Sequence, residues 1–144
     1  MTEITRLNSD DRARWGVLWR DYLTFYKTSE PEPVYDRLWQ RILSNDGIFA
    51  FAARRDGALI GIAHYFYHAN VRGPDACYLN DLYVDETVRG SGAGRALINA
   101  IAEEARGRGC TRYYWTTQET NTPARTLYDK VAKFNGFIRY DFTL

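Results

Sequence analysis

The chain has 144 residues, the size of one domain, and we expect residues 1–144 to fold as a single domain. Hydrophobic residues make up 45% of it and charged residues 26%, a balance typical of soluble folded proteins and not of disordered ones. Lys and Arg number 19 against 18 Asp and Glu, so charge gives no reason to expect nucleic acid or a membrane surface as a partner.

Two further features bear on location. The longest fully apolar run, residues 48–53, is far shorter than the roughly 20 residues that span a bilayer. The N-terminus lacks the basic and apolar regions of a signal peptide, so we expect a cytoplasmic protein. Cys77 and Cys110 are then expected to be buried, unpaired thiols.

Hydrophobic periodicity in the first half of the chain predicts two helices and a hairpin. A helix is expected within residues 9–29, with Ser9 as its N-cap, and a shorter one over residues 34–43 after two prolines. Residues 48–68 alternate as a β-hairpin around Asp56-Gly57, a dipeptide suited to a tight turn.

In the second half, residues 70–76 are predicted to form a loop before a strand at 77–84. A helix over 92–108, ended by Gly107 or Gly109, a strand at 111–117 and a helix over 122–132 should follow. Thr122-Pro123 is a suitable start for that helix. The stretch GFIRYDF, residues 136–142, is predicted to close the chain as a strand. The predicted order is β-α-α-β-β-β-α-β-α-β, an α/β domain with a mixed sheet.

Three glycines lie where the strand at 77–84 gives way to a helix. Gly90, Gly92 and Gly94 lack Cβ atoms, so a ligand can approach the backbone closely and positive φ costs little. The free amides and the dipole of a helix N-terminus together favour a phosphate group. A flexible turn with glycines for helix packing is the alternative.

Spacing excludes the two familiar nucleotide motifs. A dinucleotide fingerprint needs Gly or Ala where the chain has Arg95 or Leu97, depending on the register. A nucleoside triphosphate loop needs Gly-Lys-Ser/Thr, and Gly94 is followed by Arg95-Ala96.

A third pattern matches. Residues 89–94, RGSGAG, resemble the Arg/Gln-x-x-Gly-x-Gly/Ala loop that holds the coenzyme A pyrophosphate in the GNAT superfamily of N-acetyltransferases. Residues 121–130, NTPARTLYDK, resemble the second signature of that family, Asn-x-x-Ala-x-x-Leu/Phe-Tyr. The residues around both motifs resemble most those of the branch that includes fungal histone and polyamine acetyltransferases. The resemblance covers roughly residues 3–142 and is specific over 78–130.

The resemblance implies acetyl-coenzyme A as cosubstrate and a set of residues that hold it. In the family, a splayed strand pairs with the pantetheine arm, loop amides hold the pyrophosphate, an arginine adds a charged contact and the second signature contributes an asparagine. For Lys130, near the expected adenosine phosphate, a solvated lysine is an equal alternative. The implied cofactor-binding residues are Leu82, Tyr83, Val84, Arg89, Gly90, Ser91, Gly92, Ala93, Gly94, Arg95, Asn121 and Lys130.

The resemblance also assigns catalytic roles. Tyr128 matches the signature tyrosine, the general acid for the departing thiolate, and a backbone N–H within residues 82–84 would stabilise the oxyanion. The general base does not match the family pattern. Asn80 occupies the position at which polyamine-acetylating relatives have glutamate, and an amide cannot accept the proton. Asp81 is the remaining candidate on the strand, and Asp85 and Glu86 follow it. The alternatives are a base that acts through a water molecule and an amine that arrives in its neutral form.

Other constellations are less informative. His64 and His68 lie about 13 Å apart if their segment is a strand, too far for one metal ion, and no metal is expected. Four aromatic residues of the first two helices are expected in the core, although one or two could line the acceptor groove; they are Tyr22, Tyr26, Tyr35 and Trp39.

The sequence therefore predicts an acetyl-coenzyme A-dependent N-acetyltransferase that acts on a primary amine by direct attack in a ternary complex. The amine would be a small amine, an amino acid or a lysine ε-amine. A non-catalytic acyl-coenzyme A sensor on the same fold is the competing hypothesis. The resemblance further implies a homodimer in which residues 136–142 pair with a second subunit, since an unpaired apolar edge strand would be left exposed.

Overall fold

Five strands form one sheet and four helices cover its two faces in the computed structural model, which describes residues 1–144. The strands are β1 (Thr2–Thr5), β2 (Phe49–Arg55), β3 (Ala58–Asn70), β4 (Gly73–Val84) and β5 (Tyr113–Tyr114). The helices are α1 (Arg12–Phe25), α2 (Glu32–Leu43), α3 (Ala93–Gly107) and α4 (Thr122–Val131). The mixed α/β class predicted from the sequence is confirmed.

The strands are arranged in chain order, β1-β2-β3-β4-β5. All neighbours are antiparallel except β4 and β5, which are parallel because α3 carries the chain back across the sheet between them. Asp56 and Gly57 both have positive φ, 51° and 80°, the conformation of the tight hairpin turn expected there.

Each face of the sheet has its own apolar core. Helices α1 and α2 bury aromatic residues against alternate positions of β2, β3 and β4, with Trp15 and Leu18 fully buried. Helix α3 buries Leu97 and Ile101 against the opposite positions, and α4 packs on the same side through Leu127. The two faces follow from the two-residue side-chain period of the strands.

A polar cluster joins α3 to the sheet within the second core. The carboxylate of Glu104 accepts hydrogen bonds from the hydroxyls of Tyr65 and Tyr67 and forms an ion pair with Arg6, which follows β1. The Arg6 guanidinium also lies 4.0 Å from the centroid of the Phe51 ring. The C-terminal half of α3 is thereby tied to β1, β2 and β3.

Several predicted boundaries are wrong, each for a local reason. The expected loop at 70–76 is a tight turn, because β3 and β4 continue their pairing to Asn70 and Gly73. Asn8 replaces Ser9 as the first cap, since its side chain accepts from the Asp10 amide while Asp11 accepts from the Asn8 amide. The helix at 92–108 ends as predicted, with Gly109 at φ 81° and the Cys110 amide bonded to the Ala105 carbonyl.

The predicted C-terminal strand, residues 136–142, is not formed. No backbone hydrogen bond joins residues 133–144 to the sheet, so nothing supplies the partner that a strand requires. The predicted strand at 111–117 is reduced to the two residues of β5, because only these pair with β4. Both cysteines are free thiols; Cys77 is buried and Cys110 is half-buried. None of the helices combines the length and apolarity that a bilayer span requires.

Candidate active site

A cleft opens where β4 and β5 diverge. The two strands pair only at Cys77 with Tyr113 and at Tyr78 with Tyr114, so the β5-facing edge of β4 is unpaired beyond Tyr78. A β-bulge lies just past this point, because His64 faces Asp81 and Tyr65 faces Leu79, which leaves Asn80 without a partner. The unpaired edge includes Leu82, Tyr83 and Val84, the residues predicted to receive an extended ligand.

The glycine loop follows β4 and leads into α3. Gly90 and Gly92 have φ of 85° and 83°, a conformation that other residues rarely adopt, and a Cβ at either position would meet nothing within 4 Å. None of the six amides from Gly90 to Arg95 donates to a backbone carbonyl. The Ser91 hydroxyl is buried without a partner in the same loop. These donors at a helix N-terminus fit the pyrophosphate of coenzyme A.

The remaining glycine and the arginines have distinct settings. A Cβ on Gly94 would lie 3.4 Å from Leu127, so Gly94 allows α3 and α4 to approach each other. Arg89 donates from Nε to the Val84 carbonyl at 3.1 Å and lies over the Tyr83 ring. Arg95 is exposed on the first turn of α3 and makes no ion pair. Of the two arginines, Arg95 has the guanidinium free for an anion.

At the other end of the cleft is an aromatic pocket. Five of its side chains come from α1 and the residue after it, from the segment after β5 and from α4, and the floor comes from β4. The pocket is lined by Tyr22, Tyr26, Leu79, Asn80, Leu82, Trp115, Thr116 and Tyr128. Two of the four helix aromatics expected in the core, Tyr22 and Tyr26, therefore line the groove, whereas Tyr35 and Trp39 are buried beneath α1.

Tyr128, the predicted general acid, is one of the residues that line the pocket. Its ring packs edge-on against Trp115, with the ring centroids 5.4 Å apart. Burial raises the pKa of the Tyr128 phenol to about 12, so it stays protonated at neutral pH. Burial and the charge of Asp81 also raise the pKa of Tyr22 and Tyr26. All three phenols can therefore donate a proton in the physiological range.

Asp81 lies behind the pocket and does not line it. Its Oδ2 contacts two side chains on the α1 face of the sheet. They are Nδ1 of His64 on β3, at 2.8 Å, and Nε1 of Trp19 on α1, at 3.3 Å. Asn80 donates to its other oxygen at 2.9 Å. Although burial opposes it, the hydrogen bond from His64 holds the pKa of Asp81 below its ordinary value. A charged carboxylate thus lies directly behind the aromatic wall.

The other acidic candidates have structural partners. Asp85 caps the turn at Glu86–Val88 through the Thr87 amide and is 2.5 Å from an Arg14 nitrogen. Glu86 is exposed, 3.7 Å from Arg89. Neither carboxylate lines the pocket.

Two residues of the second signature, Asn121 and Lys130, are implied to contact the cofactor, and one of them lies at the cleft. Asn121 is the N-cap residue of α4, and its side chain lies 3.5 Å from the Thr117 hydroxyl, close to the pocket wall. Lys130 is exposed near the end of α4 without an ion pair, the setting of the solvated lysine given above as an alternative.

Sequence reasoning missed two groups of residues. Trp115 was part of a predicted strand, and only the early divergence of β5 turns it toward Tyr128. His64 was considered as a metal ligand, but it pairs with Asp81 across the bulge and accepts from Nε1 of Trp15 at 2.9 Å. His68 instead contacts the Tyr114 hydroxyl at 2.7 Å. No group of three potential metal ligands occurs.

The fold, the unpaired strand edge and the bare helix N-terminus together define the acyl-coenzyme A N-acyltransferase class. The pattern describing the Acetyltransferase (GNAT) family matches residues 15–134. The chain belongs to the GNAT family, whose members use acetyl-coenzyme A, and it is an N-acetyltransferase.

Named relatives agree with this assignment. The D-amino-acid N-acetyltransferase of Saccharomyces cerevisiae is 34% identical over 134 residues, which cover 90% of this chain and 83% of that protein. A thialysine N-epsilon-acetyltransferase of Mus musculus is 34% identical over 65 residues, 45% of this chain and 38% of the mouse protein.

Solved structures share the fold. An aminoglycoside N-acetyltransferase in complex with CoA superposes with a TM-score of 0.86 at 20% identity, over 99% of this chain and 95% of that one. A ribosomal-protein-alanine N-acetyltransferase of Brucella melitensis biovar Abortus 2308 gives 0.83 at 24% identity, over 100% and 99%.

Proposed function

We propose that this enzyme transfers the acetyl group of acetyl-coenzyme A to a small primary amine, an amino acid or a lysine ε-amine, by direct attack in a ternary complex. The observation that carries the proposal is the cleft between β4 and β5. It has bare amides at one end and Tyr128 in an aromatic pocket at the other. A donor held at the amides and extended along β4 would end beside that pocket.

The chain's own groups supply binding and proton transfer. The amides from Gly90 to Arg95, with the Ser91 hydroxyl, bind the pyrophosphate, and the unpaired edge at Leu82, Tyr83 and Val84 binds the extended arm and provides the oxyanion donor. Bound acetyl-coenzyme A supplies the activated thioester. Arg89, Ala93, Asn121 and Lys130 remain proposed contacts around these groups.

Tyr128 is proposed as the general acid. Its phenol is protonated at neutral pH and faces the pocket beside Trp115, where the departing thiolate would need a proton. Asp81 is proposed to receive the proton that the amine loses. Because Asp81 is buried behind the pocket wall, a hydroxyl of that wall has to connect it with the amine.

The pocket favours a compact acceptor. Its wall is aromatic, and the only carboxylate beside it is buried, so an amine is attracted by one charge and by ring faces. Spermine gains from several spaced carboxylates, and the nearest acids along the chain are already paired. The D-amino-acid and thialysine activities named for two relatives also support a single small amine.

A thiol-release screen tests the proposal. The amines are glycine, L- and D-amino acids, lysine peptides, simple monoamines and spermine, each at saturating acetyl-coenzyme A. We expect turnover of an amino-acid or lysine amine at a higher kcat/KM than spermine. Protection of the fold by coenzyme A without turnover of any amine would favour a sensor instead.

We also propose that the enzyme is a cytoplasmic homodimer. Four apolar side chains of residues 136–142 are at least 74% exposed; they are Phe137, Ile138, Tyr140 and Phe142. In a dimer, this segment would find in a second subunit the strand partner that it lacks here. Light scattering at micromolar concentration should give twice the 16.7 kDa of the chain. Ile138→Asp with Phe142→Asp should give a monomer, and a monomeric wild-type protein would contradict the proposal.

A further inference from the structure

A chain of buried hydrogen bonds runs from α1 through β3 to β4 behind the aromatic pocket. Nε1 of Trp15 lies 2.9 Å from Nε2 of His64, and Nδ1 of His64 lies 2.8 Å from Oδ2 of Asp81. Trp15 is 0% exposed, His64 2% and Asp81 7%. Water therefore has little access to the chain, and the three side chains must satisfy one another.

The Trp15 contact fixes the protonation of His64. An indole N–H can only donate, so Nε2 of His64 must present its lone pair to it. The imidazole proton is then on Nδ1, where it donates to Asp81. A second proton on Nε2 would point at the indole N–H. The indole therefore holds His64 as the Nδ1–H tautomer, which presents a fixed donor to the Asp81 carboxylate.

Tyr22 connects this buried charge with the pocket. Its ring is part of the pocket lining, and its hydroxyl donates at 3.5 Å to the main-chain carbonyl of Asn80, the residue before Asp81. Burial, followed by the charge and hydrogen bond of Asp81, raises the pKa of Tyr22, so the phenol keeps its proton. Since the hydroxyl donates its proton toward the Asn80 carbonyl beside Asp81, the lone pairs of the Tyr22 oxygen are left for a ligand.

We propose that Tyr22 accepts the proton of the acceptor amine and that Trp15 and His64 are positioning residues that act through Asp81, an inference that rests on the proposed function. The amine attacks in its neutral form, and as the C–N bond forms, the nitrogen gives a proton to the Tyr22 oxygen while the Tyr22 proton passes to Asp81. The C–S bond breaks and the sulfur takes the proton of Tyr128. Solvent in the pocket then returns a proton to Tyr128, and the proton on Asp81 leaves to the same solvent through the Tyr22 hydroxyl, which balances the reaction.

The groups around His64 and Asp81 include no second carboxylate and no lysine. Arg12 lies over the outer face of the Trp15 ring, 5.3 Å from the ring centroid. The facing strand β2 presents Ala50 opposite His64. The titratable groups that the packed helices and β4 direct toward the pair are phenols: Tyr22 and Tyr26 from α1, Tyr35 from α2 and Tyr83 from β4.

The first experiment measures the tautomer by ¹⁵N-edited NMR of the histidine rings from pH 5.5 to 8.5. In the wild-type protein, His64 should show the Nδ1–H form as its single tautomer. Trp15→Phe removes the donor and keeps a ring, so its His64 should show a mixture of the Nδ1–H and Nε2–H forms. The matched control is Trp39→Phe, which changes a neighbouring core indole that makes no contact with His64 nitrogens. An Nε2–H form of His64 in the wild-type protein would refute the proposal.

The second experiment follows kcat/KM for the best amine of the screen against pH. Trp15→Phe should lose about 10-fold, because an imidazole that can present a bare Nδ1 to Asp81 no longer holds that carboxylate in place. Adding His64→Asn should recover most of the loss, because the amide nitrogen of Asn can occupy the place of Nδ1 as a fixed donor. A Trp15→Phe profile identical to that of the wild-type protein would refute the role of the two positioning residues.

The third experiment is Tyr22→Phe, which keeps the ring and removes the hydroxyl. We expect kcat/KM for the amine to fall about 10²-fold while the Kd of coenzyme A is unchanged. An unchanged kcat/KM would refute the role of Tyr22. If no amine is acetylated by the wild-type protein, the proposed function fails by itself. The NMR arm then still decides the tautomer, and calorimetry of amine binding to the coenzyme A complex decides whether the Tyr22 hydroxyl contacts the amine.

Discussion

The two ends of the cleft are built from different parts of the polypeptide. The cofactor end consists of consecutive main-chain amides, from Gly90 to Arg95, and needs only positive φ and missing Cβ atoms. The acceptor end consists of side chains from α1, β4, the segment after β5 and α4. A contiguous backbone site is expected to fail through one substitution in its loop. A site built from side chains of several segments should lose activity gradually, by an amount that depends on which side chain is altered.

The largest expected effect is at the backbone end. Gly92→Asp adds a Cβ and a negative charge where the pyrophosphate is expected, so coenzyme A should no longer raise the melting temperature, which it does in the wild-type protein by mass action. The control is Gly57→Asp, at nearly the same φ of 80° but in the β2–β3 turn. It should keep the shift. Stabilisation of the wild-type protein by NAD or ATP but not by coenzyme A would contradict the assignment of this loop.

The next-largest effect is expected at Tyr128, the proposed proton donor of the acceptor end. Tyr128→Phe should lower kcat roughly 10²- to 10⁴-fold with little change in coenzyme A affinity, because it removes only the proton donor. Since its pKa is raised to about 12, the phenol loses its proton only at higher pH, and kcat should not decline through Tyr128 ionisation between pH 8 and 10. Tyr114→Phe, whose hydroxyl contacts His68 outside the pocket, serves as the control. An unchanged kcat would make Tyr128 a packing residue.

A smaller effect is expected from the charge behind the pocket. Asp81→Asn keeps the shape and removes both the charge and the proton acceptor, so KM for the amine should rise about 10-fold and kcat should fall about 10-fold, while KM for acetyl-coenzyme A should rise less than 2-fold. Stability should also fall by about 1–3 kcal/mol, because the amide group meets one of the donors that now bind Asp81. Asp75→Asn, at the exposed start of β4, is the matched control. Equal changes in both KM values would remove the distinction between the two ends.

The smallest effect concerns Asn80, which the bulge leaves exposed at the rim. Asn80→Glu adds a carboxylate that a polyamine can use, and an exposed ion pair contributes about 1 kcal/mol or less. The preference for spermine over lysine should therefore shift by no more than about 5-fold, measured as a ratio of kcat/KM values. Asn80→Gln should leave the ratio unchanged. A wild-type enzyme that already prefers spermine would show that Asn80 does not set the choice.

The comparison also explains what the sequence could predict. The loop at residues 89–94 was predictable because every residue that it needs is adjacent in the chain, and φ of Gly90 and Gly92 follows from the residue type. The helices and the first hairpin were predictable from periodicity and from Asp56-Gly57. These features depend on local interactions.

The acceptor end was less predictable because it depends on pairing between distant segments. The extra residue at Asn80 exists only relative to β3, and it decides that Asp81 faces His64 and not the pocket. The early end of β5, which turns Trp115 toward Tyr128, has no signal in the β-rich run TRYYWTT. The predicted C-terminal strand is absent for the same reason, because the run GFIRYDF has the composition of a strand but no pairing partner within one chain.

The tie between Glu104 and the sheet has a mechanical consequence for the cofactor. Helix α3 is a rigid rod that rises about 1.5 Å per residue, so Glu104 lies about 18 Å along the axis from Gly92. A tilt of only about 5° around the far end would move the loop amides by about 1.5 Å over this lever arm, more than a hydrogen bond tolerates. The pivot held by Glu104 with Tyr65, Tyr67 and Arg6 therefore keeps the loop amides in register with β4, although none of these side chains lines the pocket.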